Sequence, residues 1–457
     1  MIPELLTTIL FGNSPPGQDR KEIMFPYSGS SSRFFEHARD LSIQPFVMPD
    51  DLSAFRIELG AAAHAFSSYL ETKGDVIAET VADETGSPIS YQHEDREGAR
   101  MFLSKLPHLH ALLPRKYVSD PKGNVLLILS ANEPIIVTTI LVFTALYDGN
   151  SVYIKSSTKS PTYGYLLARE LAKNPALKNR VHYLLVDREE TGRLIRAKSF
   201  DYVLSLGSSA TNKKLMTMCI ESDTDFSPEN EGNDWCYIDS GGDSLKKMSK
   251  IIAESFTRHN GQMCNADRGV MVHTEKYDAF VADLKDRIHT FRVGSPRLKS
   301  SDIGALIQGT ADNADILVRD SAERGAEVWN YARKDTVMSP TLILNPDENS
   351  SILSETVFAP VLWVKKIKDH EDAISLYEKR NLHGLGFSIF TNDEDVVKEF
   401  VTRLRVGRIN INKHPLKTGL FDPLGGIFLS GRGGPSHWIE RLSNRKFING
   451  SFAHGKR

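Results

Sequence analysis

The sequence predicts an α/β protein, with a doubly wound parallel sheet in one lobe and a second α/β lobe after it. Short apolar runs bounded by turn residues carry the first part of that expectation. They are Gly123-Asn-Val-Leu-Leu-Ile-Leu-Ser130, Gly149-Asn-Ser-Val-Tyr-Ile-Lys155, Val181-His-Tyr-Leu-Leu-Val186 and Tyr202-Val-Leu-Ser-Leu206, and they read as buried strands. Helical segments separate them, and such alternation gives parallel strands with right-handed crossovers. A chain of 457 residues is long enough for two or three domains with sizeable cores.

Composition removes several classes of function. Charged residues make up 25% and apolar residues 40%, as in ordinary soluble proteins. A formal net charge of −2 gives no reason to expect nucleic acid or an anionic membrane as partner. The longest apolar run, Ile135 to Leu146, falls short of the roughly 18 residues of a membrane helix, so no membrane span is expected. The start, Met1-Ile-Pro-Glu-Leu-Leu, lacks the cationic residues of a secretory signal. Cys219, Cys236 and Cys264 are an odd, sparse set, which argues against a disulfide framework or a metal site. A cytoplasmic location follows as the expectation.

Taken in order, residues 1–50 read as an irregular wrapping segment, with Pro15-Pro16 and Ser28-Gly29-Ser30 marking loops. From Asp50 the apolar spacing turns helical (Leu52, Phe55, Leu59, Ala63, Phe66, Leu70), with Asp50 or Asp51 as N-cap. A second helix is expected from about Gly74 to Glu84. His64 and His93 have no ligand partners at useful spacing and read as surface or packing residues. After the strand at 123–130 come Asn132 and Pro134, then the apolar helix. Ligands on doubly wound sheets sit at the carboxyl ends of strands, and Asn132, Lys155 and Gly207-Ser208 fall there.

A further stretch organises the second half, Phe256-Thr-Arg-His-Asn-Gly-Gln-Met-Cys264-Asn-Ala266. A helical run from Ser249 to His259 ends at Asn260-Gly261, where glycine can take the left-handed conformation that closes a helix. A strand-like run, Gly269 to His273, follows. A thiol at such a break can be exposed and polarised as a nucleophile must be. An isolated cysteine is more often a small buried packing residue.

The surrounding residues favour the nucleophile. The stretch resembles the cysteine motif of the aldehyde dehydrogenase superfamily, with Phe256, Gly261, Gln262, Cys264 and Ala266 in the family's positions. The resemblance continues in order through Ser-Ala-Asn132-Glu-Pro, Lys155, Leu206-Gly207-Ser208, Ser354-Glu355-Thr-Val-Phe358-Ala-Pro360, Asn381-Leu-His-Gly384-Leu, Arg408-Ile-Asn-Ile-Asn412, Pro423-Leu-Gly-Gly426 and Ser430-Gly431-Arg-Gly433. It covers about residues 120 to 450. It implies an aldehyde-dehydrogenase-like fold, with a Rossmann-type cofactor lobe at 1–232, a catalytic lobe at 233–420, and a return segment with an oligomerisation strand at 421–457.

The resemblance also implies roles. Cys264 would be the nucleophile, and Asn132 with the Cys264 N–H would hold the oxyanion. Lys155, Ser157, Thr158 and Lys159 would contact the adenine ribose, Gly207 and Ser208 the pyrophosphate, and Glu355 and Phe358 the nicotinamide side. NAD-preferring members carry a glutamate three residues after the lysine. Here Ser157, Thr158 and Lys159 suit a 2′-phosphate, so NADP(H) is expected, with NAD(H) the alternative. Glu231 stands near the family's deacylating base, with Glu229 the weaker candidate. Arg268 lies four residues after Cys264, one short of the family's arginine, and carries no role over.

The text around Glu231 also resembles thioester-forming members that lack a base. The expected function is therefore NADPH-dependent reduction of an acyl thioester, on CoA or a carrier protein, to an aldehyde. Oxidation of an aldehyde to an acid with Glu231 as general base is the alternative, and a retired nucleotide-binding homologue the reading from another class. A homodimer or homotetramer is implied by the terminal strand at Phe447–Phe452.

Overall fold

A computed structural model of the chain describes residues 20–24, 31–35, 43–112, 118–241, 244–307, 309–417, 419, 421–431 and 435–446. Two sheets divide the larger part of it. The first has five strands: β1 Asn124–Ile128, β2 Ser151–Lys155, β3 Val181–Tyr183, β4 Tyr202–Leu206 and β5 Asp225–Glu229. Their order across the sheet is β3-β2-β1-β4-β5, all parallel. The order reverses direction beside β1, so the carboxyl end of that strand is the switch point where doubly wound sheets bind ligands.

Helices cover both faces of this sheet because its strands are apolar on both sides. Val125 and Leu127 of β1 face one core, together with Phe66, Phe102, Phe143 and Leu167. Leu126 faces the other, with Leu184, Leu194, Val203 and Cys219. The first core holds α1 (Leu52–Thr85), α2 (Ile89–Lys105), α3 (Pro134–Tyr147) and α4 (Thr162–Leu171). The second holds α5 (Arg188–Arg196) and α6 (Ser209–Glu221). Buried on almost every side, α3 has the uniformly apolar sequence that such a position demands.

Asp51 caps α1 by accepting from the backbone N–H groups of Ser53 and Ala54 at 2.8 and 3.1 Å. The helix then runs unbroken through Gly74, where a second helix was expected to start. The glycine is there for space: a Cβ on it would lie 2.3 Å from the Arg96 guanidinium on α2. Within the segment 1–50, expected to be irregular, Arg20–Met24 pairs antiparallel with Ser31–Phe35. None of the described helices is long and apolar enough to cross a membrane.

The second sheet has seven strands: β6 Asp234–Ile238, β7 Asp267–His273, β8 Glu327–Trp329, β9 Thr341–Leu344, β10 Val361–Ile367, β11 Gly386–Phe390 and β12 Arg408–Ile411. Their order is β8-β9-β10-β7-β6-β11-β12, and only the edge strand β8 runs antiparallel. One of its faces is packed by Trp235 and Trp363, edge to face with ring centroids 4.6 Å apart. Of the return segment, Ser443–Lys446 pairs antiparallel with Val118–Pro121. The expected oligomerisation strand at 447–452 lies outside the described residues.

Gly269 of β7 lies under the Trp363 indole, and a Cβ there would fall 1.9 Å from the ring. The indole is fully buried and has no room to retreat. Gly269→Ala is therefore expected to destabilise the protein by about 1–3 kcal/mol, measured by urea unfolding. An unchanged midpoint would show that the sheet can yield there.

Candidate active site

The cysteine motif begins at the end of α7 (Leu245–Thr257), whose Met248, Ile252, Ala253 and Phe256 are buried. The chain then turns through three consecutive left-handed residues, His259 at φ 48°, Asn260 at φ 60° and Gly261 at φ 72°. Only at Gly261 is that conformation free of side-chain cost, and a Cβ there would also meet the Ala359 carbonyl at 2.2 Å. Asn260 holds the turn. Its amide nitrogen donates to the carbonyls of Gly86 at 2.9 Å and Ala305 at 2.7 Å, and its oxygen accepts from Gly304 N–H at 2.8 Å. Gln262 accepts from Ile307 N–H at 2.8 Å. On the other side the buried Arg268 donates to the Met263 carbonyl at 2.5 Å and stacks over the Phe358 ring at 5.2 Å.

Cys264 emerges from this turn half-buried and unpaired with any other cysteine. Burial first, and the Glu133 carboxyl second, push its thiol up to about 12. At rest it is therefore protonated, and a nucleophile forms only when substrate, cofactor or a base changes its surroundings. Asn132 sits half-buried just beyond the carboxyl end of β1, its amide 3.4 Å from Glu133 Oε2.

The Glu231–Gly232 segment lies against the Cys264 backbone, while the Glu231 carboxylate is engaged elsewhere. A Cβ on the next residue, Gly232, would lie 2.3 Å from the Cys264 carbonyl, so the two chain segments are in contact. Yet the Glu231 carboxylate accepts from Ser209 N–H at 2.6 Å and Ser209 Oγ at 2.7 Å, at the N-terminus of α6. His383 Nε2 stands 4.0 Å away. Burial pushes this carboxyl up, but the nearby His383 imidazole and the hydrogen bonds from Ser209 outweigh it and hold it below the ordinary range. Glu229 is different. It is half-buried on β5, accepts from Trp438 Nε1 at 3.1 Å, and is pushed up to about 8 by loss of water around the carboxyl.

The residues expected to meet a cofactor cluster at strand and helix ends. Lys155 closes β2 and is buried beside the end of β1, in register with Ile128. Ser157 Oγ accepts from Lys159 N–H at 3.2 Å. Thr158 is exposed. Partial burial and the charge of Arg188 push the Lys159 ammonium down, which places two cations together beyond β2. Ser208 caps α6, accepting from Thr211 N–H at 3.2 Å, and Gly207 N–H donates to the Glu229 carbonyl at 3.0 Å. The helix N-terminus at Ser209 suits an anion, and the Glu231 carboxylate takes that place here. Glu355 is exposed on a loop that Thr356 fastens to the Gly232 carbonyl at 3.2 Å. Phe358 lies under Arg268.

The structure thus brings Cys264, Gly232, Arg268 and Phe358 into one junction, with Gly207, Ser208 and Glu231 on its cofactor-lobe side. It adds residues that sequence reasoning missed: Asp95, Glu133, His259, Arg268 and His383. Glu133 carried a signal, since it adjoins Asn132. The others meet only through folding.

Known proteins resemble the chain over most of its length. The model of the aldehyde dehydrogenase family matches residues 58–448. A 3-sulfolactaldehyde dehydrogenase of Priestia megaterium is 26% identical over 336 residues, 72% of this chain and 70% of that protein. A putative aldehyde dehydrogenase of Staphylococcus aureus is 25% identical over 403 residues, 84% of each chain. The structure of an NADP-dependent glyceraldehyde-3-phosphate dehydrogenase from Bacillus halodurans superposes with a TM-score of 0.83. It is 23% identical and is covered over 95% of its chain and 94% of this one.

Two outcomes are expected. In cofactor-free protein, iodoacetamide labelling of Cys264 is slow at neutral pH and climbs about tenfold per pH unit through pH 9, because the thiolate is the reacting form. A plateau below pH 8 would refute the raised thiol. Asn260→Ala leaves buried partners unsatisfied and is expected to cost at least about 2 kcal/mol in denaturant unfolding.

Proposed function

Since the chain belongs to the aldehyde dehydrogenase family, whose members are NAD(P)-dependent oxidoreductases acting on aldehydes, we propose that it oxidises an aldehyde to a carboxylic acid, with NADP⁺ as preferred acceptor. The observation that carries this reading is the contact of the Glu231–Gly232 segment with the Cys264 backbone at the junction of the two sheets. The thiolate of Cys264 adds to the aldehyde carbon. The Asn132 amide and the Cys264 N–H hold the resulting oxyanion. A nicotinamide dinucleotide held by Lys155, Gly207, Ser208, Glu355 and Phe358 would supply the hydride acceptor, and Cys264 would then carry the acyl group. Glu231 then takes a proton from the attacking water, and the acid leaves with Cys264 as the departing thiolate.

Glu231 can serve only after leaving Ser209. A cofactor phosphate at the same helix N-terminus would compete for those donors, so cofactor binding and release of the base are linked in this scheme. The relatives named as aldehyde dehydrogenases support oxidation over the thioester reduction that the sequence first suggested. Reduction keeps one specific support. With Glu231 held at Ser209, an acyl-enzyme has no base to hydrolyse it and can persist for exchange with another thiol.

The preference for NADP⁺ rests on Lys159 with Arg188 and on the absence of a carboxylate from Ser156 to Lys159. Ser157 and Thr158 add hydroxyl donors beside them. Lys155, Gly207, Ser208, Glu355 and Phe358 would hold the remainder of the cofactor. Cytoplasmic location and a homo-oligomer are part of the same proposal.

Cys264→Ala is expected to abolish NADP⁺ reduction by any aldehyde, and retained turnover would sink the scheme. Glu231→Gln should still release one NADPH per active site in a burst, while steady turnover falls roughly 10²–10⁴-fold. A Glu231→Gln enzyme with normal turnover, together with thioester-dependent NADPH oxidation, would instead establish the reductase. Lys159→Ala and Arg188→Ala should each raise KM for NADP⁺ by roughly 10- to 100-fold, from about 1.5–3 kcal/mol per charged hydrogen bond. The KM for NAD⁺ should stay unchanged.

A further inference from the structure

Beside the nucleophile turn lies a group of side chains that the dehydrogenase scheme does not use. Asp95 comes from α2, Glu133 precedes α3, and His259 is the first left-handed residue of the turn. Each offers one ligand atom, and these atoms all lie within 4.8 Å of one another. His259 is 0% exposed and Asp95 4%. His259 Nε2 stands 3.5 Å from Asp95 Oδ1, yet Nε2 and Asp95 Oδ2 are both without a hydrogen-bond partner. Buried polar atoms are nearly always satisfied, and buried charges are paired or bind metals.

The imidazole is also oriented as a ligand would be. Its Nδ1 lies 2.9 Å from Ser87 Oγ, and the Tyr91 ring packs against it with centroids 5.1 Å apart. An outer hydrogen bond at one ring nitrogen, with the other facing two carboxylates, is the arrangement that fixes metal-bound histidines. The neighbouring cation does not fill the gap. Arg258 is committed to Glu94 at 2.6 Å and stacks on Tyr91.

We propose that Asp95, Glu133 and His259 form a binding site for one divalent metal cation of the zinc type. One imidazole and two carboxylates suit a cation that accepts both nitrogen and oxygen ligands. Ligands around tetrahedral zinc lie about 2.0–2.1 Å from the ion, so the three side chains close slightly on it and leave a fourth position for water. Because Asn132 donates to Glu133 at 3.4 Å, the ion sits one residue from the group assigned to the oxyanion. No metal is expected from the sequence, since the three residues are far apart in the chain.

The test reads metal and not turnover, so it stands apart from the dehydrogenase reading. Chelator-treated protein is titrated with Zn²⁺ by calorimetry, and metal content is measured after gel filtration. One ion per chain is expected, with a rise in Tm. His259→Asn keeps a residue that tolerates positive φ, and Asp95→Asn keeps the shape of the carboxylate. Each should weaken Zn²⁺ binding beyond the roughly 10–100-fold that outer-shell changes cost, while Cys264→Ala binds as before. Circular dichroism confirms that each variant is folded. Absence of bound zinc would overturn the site. So would binding that survives in folded His259→Asn and Asp95→Asn but is lost in Cys264→Ala, which would assign the ion to the thiol.

Discussion

The site depends on one hydrogen-bonded side chain, Asn260, placed between two segments far away in sequence. Its amide spans the Gly86 carbonyl, at the end of the long first helix, and the Ala305 carbonyl and Gly304 N–H in the second lobe. Those bonds hold His259 and Asn260 in a left-handed conformation that few residues other than glycine adopt and that Asn and His tolerate best. Gly86 is itself left-handed, and its Cβ position is filled by the Ala305 carbonyl. A strained turn is thereby fixed against the helical layer and the catalytic sheet together. The position of Cys264 is a consequence of both lobes, and neither could set it alone.

From that turn the geometry passes to Glu231. Its backbone is committed to the nucleophile through Gly232, while its carboxylate is committed to α6 through Ser209. A helix N-terminus offers unsatisfied N–H groups to any anion within reach. With two oxygens matched to one N–H and one hydroxyl, the carboxylate is a good occupant, which its lowered titration reflects. A base that is well satisfied at one site is a poor base at another. Under the proposed oxidation Glu231 has to be displaced from α6, and the group best suited to displace it is a phosphate.

How far the sequence foretold this follows from the range of the interactions. The parallel sheet was legible because Gly123–Ser130 and its counterparts are local apolar runs, and Asn132, Lys155 and Gly207-Ser208 follow them directly. The long helix through Gly74 was not, since the glycine answers to Arg96 on the neighbouring helix and not to a turn. Arg268 was set aside on its spacing. In the structure it supports the Met263 carbonyl and covers Phe358, contacts that no count of residues reveals. The direction of the Glu231 side chain and the meeting of Asp95 with His259 are likewise products of packing.

The thiol shows why such placement governs chemistry. Around Cys264 the fold buries Asp234, Asp267 and Arg268 and half-buries Arg408, two charges of each sign. Burial pushes Asp234 up to about 6 and Asp267 up to about 7, and draws Arg268 down to about 10. Asp234, Asp267 and Arg268 are thus less inclined to hold their charges than they would be in water, and Asp234 is met by Arg408 at 3.5 Å. Positive charge from Arg408 favours the thiolate, and negative charge from Glu133 and Asp234 opposes it. With burial added, opposition wins at rest. Any ligand that brings positive charge toward the turn, or neutralises Glu133, tips this balance toward the thiolate. In the proposed role of Cys264, its reactivity would therefore be governed by what binds beside it.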